Sequence, residues 1–166
     1  MELALGQAAQ SLDLGEVPIG AVVVDANGRV MGLGRNMAES WNDPTAHAEV
    51  LAIRDAARRR GDWRLAGCRL YVTLEPCLMC AGAIQQSRIA VVCYGAPSPK
   101  SGALGSLADV YAIQGFNHYP QVTAGIKADQ CAKILADFFR DKRSRLDARE
   151  LRRGVRVVEG ARLESE

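Results

Sequence analysis

The spacing of hydrophobic residues in the first part of the chain predicts one helix followed by a β-hairpin. Apolar side chains recur at helical spacing over residues 3–12, and Gly15 followed by Pro18 ends that helix. The continuous apolar run Ile19–Val24 is rich in β-branched residues, as strands are. The turn sequence Asp25-Ala26-Asn27-Gly28 separates it from a second short apolar run, so the two runs are expected to pair as antiparallel strands.

The middle of the chain predicts a loop, a helix and then a β-α-β unit. Residues 36–45 show no period, whereas residues 46–60 carry apolar side chains on one helical face. Arg69–Leu74 and Ile89–Tyr94 have the composition of buried strands, and Cys77–Gln86 between them has that of a helix. A short helix between two strands favours a parallel pair, with functional residues at the carboxyl ends of the strands.

The last third of the chain has weaker patterns. A Gly/Pro/Ser loop is expected over residues 95–105, a short helix over residues 107–113 and an edge strand at Val122-Thr123. Asp129–Arg143 shows the periodicity of a final helix that could run on toward Arg153. The alternation of strands and helices places the protein in the α/β class.

Composition narrows the classes of protein to which this chain could belong, but it does not identify a function. The 166 residues are 48% hydrophobic and 24% charged, which fits one folded domain over residues 1–148 and a polar tail over residues 149–166. No apolar stretch approaches the roughly 20 residues that span a bilayer, and the start lacks the features of a secretory signal, so we expect a cytoplasmic protein with no membrane partner. The net charge of +2 is uneven, with −5 over residues 1–57, and this permits an anionic partner.

Two short motifs contain residues suited to bind a metal. Cys77 and Cys80 lie three residues apart at a predicted helix start, where they share one face and the helix dipole favours their thiolate forms. His47 is the better third ligand, because the other histidine, His118, lies in an unpatterned loop. One His and two Cys leave zinc an open fourth position, as catalytic sites require.

Glu49 follows His47 by two residues and is predicted to move protons rather than to bind the metal. Zinc lowers the pKa of bound water to about 7, and a nearby carboxylate can take up the proton that this water loses. Two other interpretations stay open at this point, a redox-active Cys pair and a structural zinc site with a fourth ligand. The candidates for that fourth ligand are Cys68, Cys93, Cys131 and His118.

These motifs resemble the His-x-Glu and Pro-Cys-x-x-Cys pattern of zinc-dependent nucleoside and nucleobase deaminases. Over residues 3–145 the chain is similar to the bacterial tRNA-specific adenosine deaminases. The segments that carry this resemblance are Glu16-Val17-Pro18-Ile19-Gly20-Ala21-Val22, Asp43-Pro44-Thr45-Ala46-His47-Ala48-Glu49, Tyr71-Val72-Thr73-Leu74-Glu75-Pro76-Cys77, Ser87-Arg88-Ile89, Lys100-Ser101-Gly102 and Asp137-Phe138-Phe139-Arg140.

The resemblance implies a three-layer α/β/α sandwich of the cytidine deaminase type, with a mixed sheet of about five strands and helices on both faces. It further implies a homodimer with one Zn²⁺ per chain that converts adenosine to inosine at the wobble position of a tRNA anticodon, by hydrolysis with zinc-activated water. Glu49 would shuttle the protons, and Asn36 would hydrogen-bond the base flipped out of the anticodon loop. The substrate contacts it implies are Pro18, Asn36, Ala48, Ser98, Lys100, Phe138, Phe139 and Arg140.

Two regions bear on substrate choice. The helix with Phe138, Phe139 and Arg140 combines charge and flat apolar surface, which suits single-stranded RNA but also describes a solvated helix with core aromatics. We expect one of the two Phe rings in the core and the other near the nucleotide. Ser98 stands where the family often has Asp, and our hypothesis is that this weakens the demand for ribose.

Two other functions compete with the tRNA deaminase. The first is a zinc-dependent deaminase of a free base or nucleoside, such as guanine or cytosine, with the same metal motif. The second is a non-catalytic RNA-binding protein with a structural zinc. Glu49 argues against the second, because a protein without activity has no need of an acid two residues after a ligand, and the basic surface at Lys100 and Arg140 argues against the first.

Overall fold

The computed structural model describes the backbone of residues 1–163 and the side chains of residues 1–145. The described residues form five strands, five α-helices and one short 3-10 helix. In chain order they are α1 Glu2–Asp13, β1 Gly20–Val24, β2 Val30–Arg35, α2 Ala38–Trp41, α3 Ala48–Arg60, β3 Arg69–Leu74, α4 Leu78–Gln86, β4 Val91–Ala96, the 3-10 helix Val110–Ala112, β5 Gln121–Thr123 and α5 Ala128–Leu163.

The strands form one mixed sheet in the order β2-β1-β3-β4-β5. β1 is antiparallel to both β2 and β3, and β3, β4 and β5 run parallel. The hairpin, the parallel β-α-β unit and the edge strand at residues 121–123 confirm the predictions from the sequence. The parallel strands β3 and β4 both end at the same edge of the sheet.

Helices cover both faces of the sheet, and small residues let them pack closely. A Cβ on Gly20 would collide with the backbone of α1 at Ala4, whereas a Cβ on Gly34 would collide with the backbone of α3 at Ala48. Gly34 pairs with Ala21, the neighbour of Gly20, so these two glycines face opposite sides. The larger core lies between the sheet and α3 with α4. This confirms the predicted sandwich with a mixed five-stranded sheet.

The structure corrects several predicted boundaries. The short helix α2 lies inside the segment 36–45 that was predicted as a loop, and β4 lies two residues later than predicted. Helix α3 begins at Ala48 rather than residue 46, and α4 begins at Leu78 rather than Cys77. The predicted helix over residues 107–113 shrinks to one 3-10 turn, where the Asp109 carboxylate accepts a hydrogen bond from the Tyr111 backbone.

The chain divides into two compact units, residues 1–135 and residues 136–166, and α5 contributes to both. The predicted helix over 129–143 is confirmed and extends to Leu163. The predicted polar tail over residues 149–166 lies outside the described side chains. No helix in the described part of the chain is both long and apolar enough to cross a membrane.

Candidate metal centre and active site

His47, Cys77 and Cys80 bring one nitrogen and two sulfurs together. These three atoms lie within 4.8 Å of one another. The distance from His47 Nδ1 is 3.7 Å to Cys77 Sγ and 3.4 Å to Cys80 Sγ. In a tetrahedral zinc site with ordinary bond lengths, N and S ligands are about 3.5 Å apart. The donor set and its spacing therefore fit zinc.

The starts of two helices position these ligands. His47 is the N-cap of α3 in an extended conformation, with φ −76° and ψ 150°, and its carbonyl accepts a hydrogen bond from Leu51. Cys77 is the N-cap of α4, and Cys80 lies in its first turn. The His47 side chain does not cap its own helix, and the Cys77 thiol contacts only Cys80, the other proposed sulfur ligand, in α4. The positive ends of two helix dipoles favour thiolates at this place.

The two thiols differ in their electrostatic surroundings. A hydrogen bond from Cys80 lowers the pKa of Cys77 to about 4, and the hydrogen bond with His47 contributes. The same contact with Cys77 and the burial of Cys80 raise the pKa of Cys80. The resulting thiolate is the ionisation state that a metal needs, and a bound divalent cation deprotonates coordinating thiols outright.

Glu49 lies in the first turn of α3 and is only 4% exposed. Its carboxyl group contacts Cys80, and burial raises its pKa. Among the described residues it is not a member of the metal-binding group. The structure therefore places the Glu49 carboxyl group beside the metal ligands without making it a ligand.

The candidate fourth ligands all have other surroundings in the described part of the chain. Cys68 Sγ accepts from Arg60 at 3.4 Å, His118 Nε2 contacts the Ile89 carbonyl at 2.6 Å, and Cys131 Sγ contacts the Ile126 carbonyl. Cys93 is buried in β4. Since the group contains three ligands among the described residues, a fourth coordination position remains for water or substrate.

Asn36 directly follows β2 and lies near Ala46, the residue before His47. The backbone N–H of its neighbour Met37 donates to the Ala46 carbonyl. Its side-chain amide donates to the carboxylate of Glu16, with Nδ2 and Oε2 2.9 Å apart. Glu16 is fully buried, and its role was not predicted from the sequence. The only sequence feature that could have indicated this role is that Glu16 is the first residue of the Glu-Val-Pro motif.

Glu75 organises the loop that follows β4. Its carboxylate accepts hydrogen bonds from the backbone N–H groups of Ser98, Leu104 and Ser106 at 2.9 to 3.0 Å. Burial opposes the charge of Glu75, but these hydrogen bonds hold its pKa below the usual value. Ser98 is 8% exposed, and its hydroxyl lies 2.9 Å from that of Ser101.

The other predicted substrate contacts differ in exposure. Pro18 and Ala48 are buried, whereas Lys100 is exposed. In the C-terminal unit Phe138 is half-buried and Phe139 is 42% exposed, with their ring centroids 5.2 Å apart. Neither ring is fully buried, so the expectation of one core residue does not hold. Arg140 forms an ion pair with Asp137 on the same helix.

Comparison with known proteins shows a family match over most of the chain. The model of the cytidine and deoxycytidylate deaminase zinc-binding region matches residues 1–96. The tRNA-specific adenosine deaminase of Haemophilus influenzae is 44% identical over 143 residues, which cover 86% of this chain and 83% of that protein. The enzyme of the same name from Bacillus subtilis is 43% identical over 89% of this chain and 91% of its own length.

Three further matches differ in how much of the other protein they cover. A tRNA(Ile)-lysidine synthase of Deinococcus deserti is 44% identical over 142 residues, but the chain spans only 26% of its length. A solved structure from work on A-to-I editing by tRNA:A34 deaminases superposes with a TM-score of 0.78 at 46% identity, covering 81% of this chain and 97% of that one. A guanine deaminase from Bacillus subtilis gives 0.56 at 36% identity, covering 71% and 74%.

Proposed function

Because this chain belongs to the zinc-dependent cytidine and deoxycytidylate deaminase family, with bacterial tRNA-specific adenosine deaminases as its relatives, we propose that it deaminates adenosine to inosine at the wobble position of a tRNA anticodon. One observation in the structure carries this: a three-ligand group of one His and two Cys lies beside a buried, non-ligating glutamate. A structural zinc site would not need that carboxylate.

His47, Cys77 and Cys80 would hold one Zn²⁺ per chain. When bound, the ion supplies a Lewis acid that lowers the pKa of a water molecule to about 7. Water adds to the ring carbon that bears the exocyclic amine, and that amine leaves as ammonia. Adenosine and water thereby give inosine and ammonia.

Glu49 moves the protons of this reaction. Its carboxylate takes a proton from the attacking water and delivers it to the ring nitrogen next to the reacting carbon. It then transfers the second proton to the departing amine nitrogen. Since Glu49 is buried beside Cys80, it is held next to the metal position and shielded from bulk water. Its own side chain emerges unchanged from each turnover.

The adenine must leave its stack to reach these groups, because the reacting carbon is inaccessible in a stacked loop. Asn36 holds the extruded base by hydrogen bonding through its side-chain amide. Lys100 and Ser98 lie on the loop that Glu75 organises, and they contribute contacts near the target nucleotide. Pro18 and Ala48 are buried, so they would support the substrate site by packing rather than through exposed surface.

The RNA and a second copy of the chain are the proposed partners. Phe139 is exposed, and Arg140 adds a guanidinium, a combination that binds single-stranded RNA. Leu78 and Met79, which follow Cys77 at the start of α4, are 61% and 37% exposed, and this adjacent apolar surface supports a homodimer interface. A tRNA substrate places the reaction in the cytoplasm.

The test is inosine formation by zinc-loaded protein on an anticodon stem-loop with adenosine at the wobble position. Free adenosine, guanine and cytosine are run in parallel, because the guanine deaminase likeness makes a free base the competing substrate. We expect inosine only in the stem-loop. Turnover of a free base with an unchanged stem-loop would contradict the proposal and favour a small-molecule deaminase.

A further inference from the structure

Glu16 makes contacts that no step of the proposed mechanism uses. Its side chain is fully buried, yet it carries a carboxylate. The carboxylate accepts from the backbone N–H of Ser40 at 2.6 Å, from that of Glu39 at 3.4 Å and from Asn36 Nδ2 at 2.9 Å. Burial disfavours its charge, but these hydrogen bonds together hold its pKa below the usual value. It is therefore an acceptor only near neutral pH.

The same contacts replace a missing helix cap. Helix α2 has Met37 at its N-cap, and no side chain of its own satisfies its first N–H groups. Glu39 and Ser40 are the second and third residues of that helix, so the Glu16 carboxylate fills the place of an N-cap acceptor and lies at the positive end of the helix. This ties Glu16, α2 and Asn36 into one unit.

Three of the four polar groups of Asn36 are bonded within the protein. Its backbone N–H donates to the Ile19 carbonyl at 3.0 Å, and its own carbonyl accepts from the Ser11 hydroxyl at 2.7 Å. Its amide nitrogen is bound to Glu16. In the described part of the chain, the one buried side-chain N or O atom without a partner is Arg35 Nε. Asn36 Oδ1 is therefore neither bonded to these residues nor sealed from solvent.

We propose that Glu16 is a positioning residue that decides which end of the Asn36 amide faces the substrate. The ionised carboxylate repels Oδ1 and holds Nδ2, so the amide cannot turn over. Oδ1 is thereby presented as an acceptor, and it selects a ligand that carries an N–H or O–H group at that point, such as an exocyclic amine. The inference rests on the proposed base-binding role of Asn36, and it adds the orientation and its cause.

The Glu16→Gln variant tests the orientation because it keeps the size of the side chain. Its Oε1 can still accept from Ser40, while its Nε2 donates to Asn36 Oδ1 and turns the Asn36 amide around. We expect kcat/KM on the stem-loop to fall at least tenfold, with zinc content and melting temperature near those of the wild type. Glu39→Gln is the matched control, because it makes the same substitution at an exposed side chain on α2, the helix that Glu16 caps. It should leave both kcat and KM unchanged.

A double-mutant cycle separates positioning from general support of the fold. If Glu16 acts through Asn36, Glu16→Gln should reduce kcat/KM by no more than twofold further in an Asn36→Ala background. Full multiplication of the two effects would overturn the proposal. The cycle is run on whichever substrate the wild type converts, so an unreactive stem-loop would refute the proposed function without deciding the role of Glu16.

A spectroscopic measurement decides the matter without any substrate. The Asn36 side-chain amide is assigned in ¹⁵N-labelled zinc-loaded protein by its absence in Asn36→Ala. One Nδ2 proton should be shifted well downfield in the wild type by its hydrogen bond to a carboxylate, and the shift should disappear in Glu16→Gln. Two ordinary amide protons in the wild type would overturn the proposal, even if Glu16→Gln failed to fold.

Discussion

His47 and Glu49 illustrate, at the scale of single residues, what sequence could and could not predict. Side chains two residues apart on a regular helix point about 200° apart, so both can reach one metal only at a helix entrance. The motif predicted the residues but not whether they converge. The structure meets this condition because α3 begins at Ala48, which leaves His47 extended and Glu49 in the first turn.

Removing the carboxylate of Glu49 should separate catalysis from metal binding. Because Glu49 is not a ligand, we expect Glu49→Ala to retain one zinc per chain and the wild-type melting temperature. Its kcat should fall by a factor of about 10² to 10⁴, the usual contribution of a general acid or base. Metal analysis and single-turnover inosine formation measure the two properties, and substantial residual turnover would refute the proton-shuttle role.

Cys77 should be required for the metal itself. Cys77→Ser replaces a thiolate by a hydroxyl that is a poor ligand for zinc, so we expect the variant to lose most of its zinc after dialysis. The control is Cys68→Ser, since Cys68 is buried away from the group and contacts Arg60. A Cys77→Ser protein that still held one zinc per chain would mean that the ligands are assigned wrongly.

Ser98 stays the basis of a hypothesis about ribose. Its hydroxyl is bonded to Ser101 and it brings no charge to the loop. We expect Ser98→Asp to raise the ratio of rates on RNA and DNA hairpins of one sequence. Ala108→Asp, in an exposed position of the same loop, adds the same charge and is the control. The same ratio in the wild type and in Ser98→Asp would sink the hypothesis.

At the scale of elements, the sequence predicted every strand and every long helix but missed α2. The strands and long helices follow from local apolar patterns, which are present in the chain. Helix α2 has four residues, none of them buried, and its N-cap residue Met37 makes no side-chain hydrogen bond to the helix. It is capped by Glu16, more than twenty positions away, and no local pattern can signal such a distant contact.

The contact between β2 and α3 depends on the absence of a side chain at Gly34. A Cβ there would collide with the backbone of α3 at Ala48 and Ala52. We expect Gly34→Ala to lower the free energy of unfolding by about 1–3 kcal/mol, as overpacking does, and to move Ala48 and its neighbours in the site. Urea unfolding at constant zinc concentration measures this loss.

Gly6→Ala is the matched control for that variant. Gly6 lies inside α1 with open space around its Cα, so alanine meets nothing there. Alanine is favoured over glycine in a helix interior, and we expect stabilisation of about 0.5–1 kcal/mol. An equal loss of stability in Gly6→Ala and Gly34→Ala would show that close packing is not the cause.

The loop after β4 should depend on pH through Glu75. Its folded-state pKa lies below the ordinary value of 4.5, so its carboxylate stabilises the fold above about pH 4.5, and this contribution is lost as the pH falls through the folded pKa. We expect Glu75→Gln to be less stable than the wild type at pH 7. The difference in unfolding free energy between the two proteins should shrink toward pH 3. A difference independent of pH would exclude this role.

At the scale of the whole molecule, the sequence predicted an α/β sandwich with one metal site, and topology explains why this succeeded. The parallel strands β3 and β4 end at one edge, and α3 and α4 begin there, so His47 and Cys77 converge although thirty residues separate them. The contacts of the two buried carboxylates, Glu16 and Glu75, could not be predicted, because each bonds the backbone of a distant segment.

The central claim is tested most directly by mapping inosine in an intact tRNA transcript that carries adenosine at the wobble position. The zinc-loaded wild type and Glu49→Ala are incubated with the transcript, and each adenosine is then examined by mass spectrometry of nuclease fragments. We predict inosine at the wobble position alone with the wild type, and none with the variant. An unchanged wobble adenosine, or inosine scattered over other positions, would contradict the account.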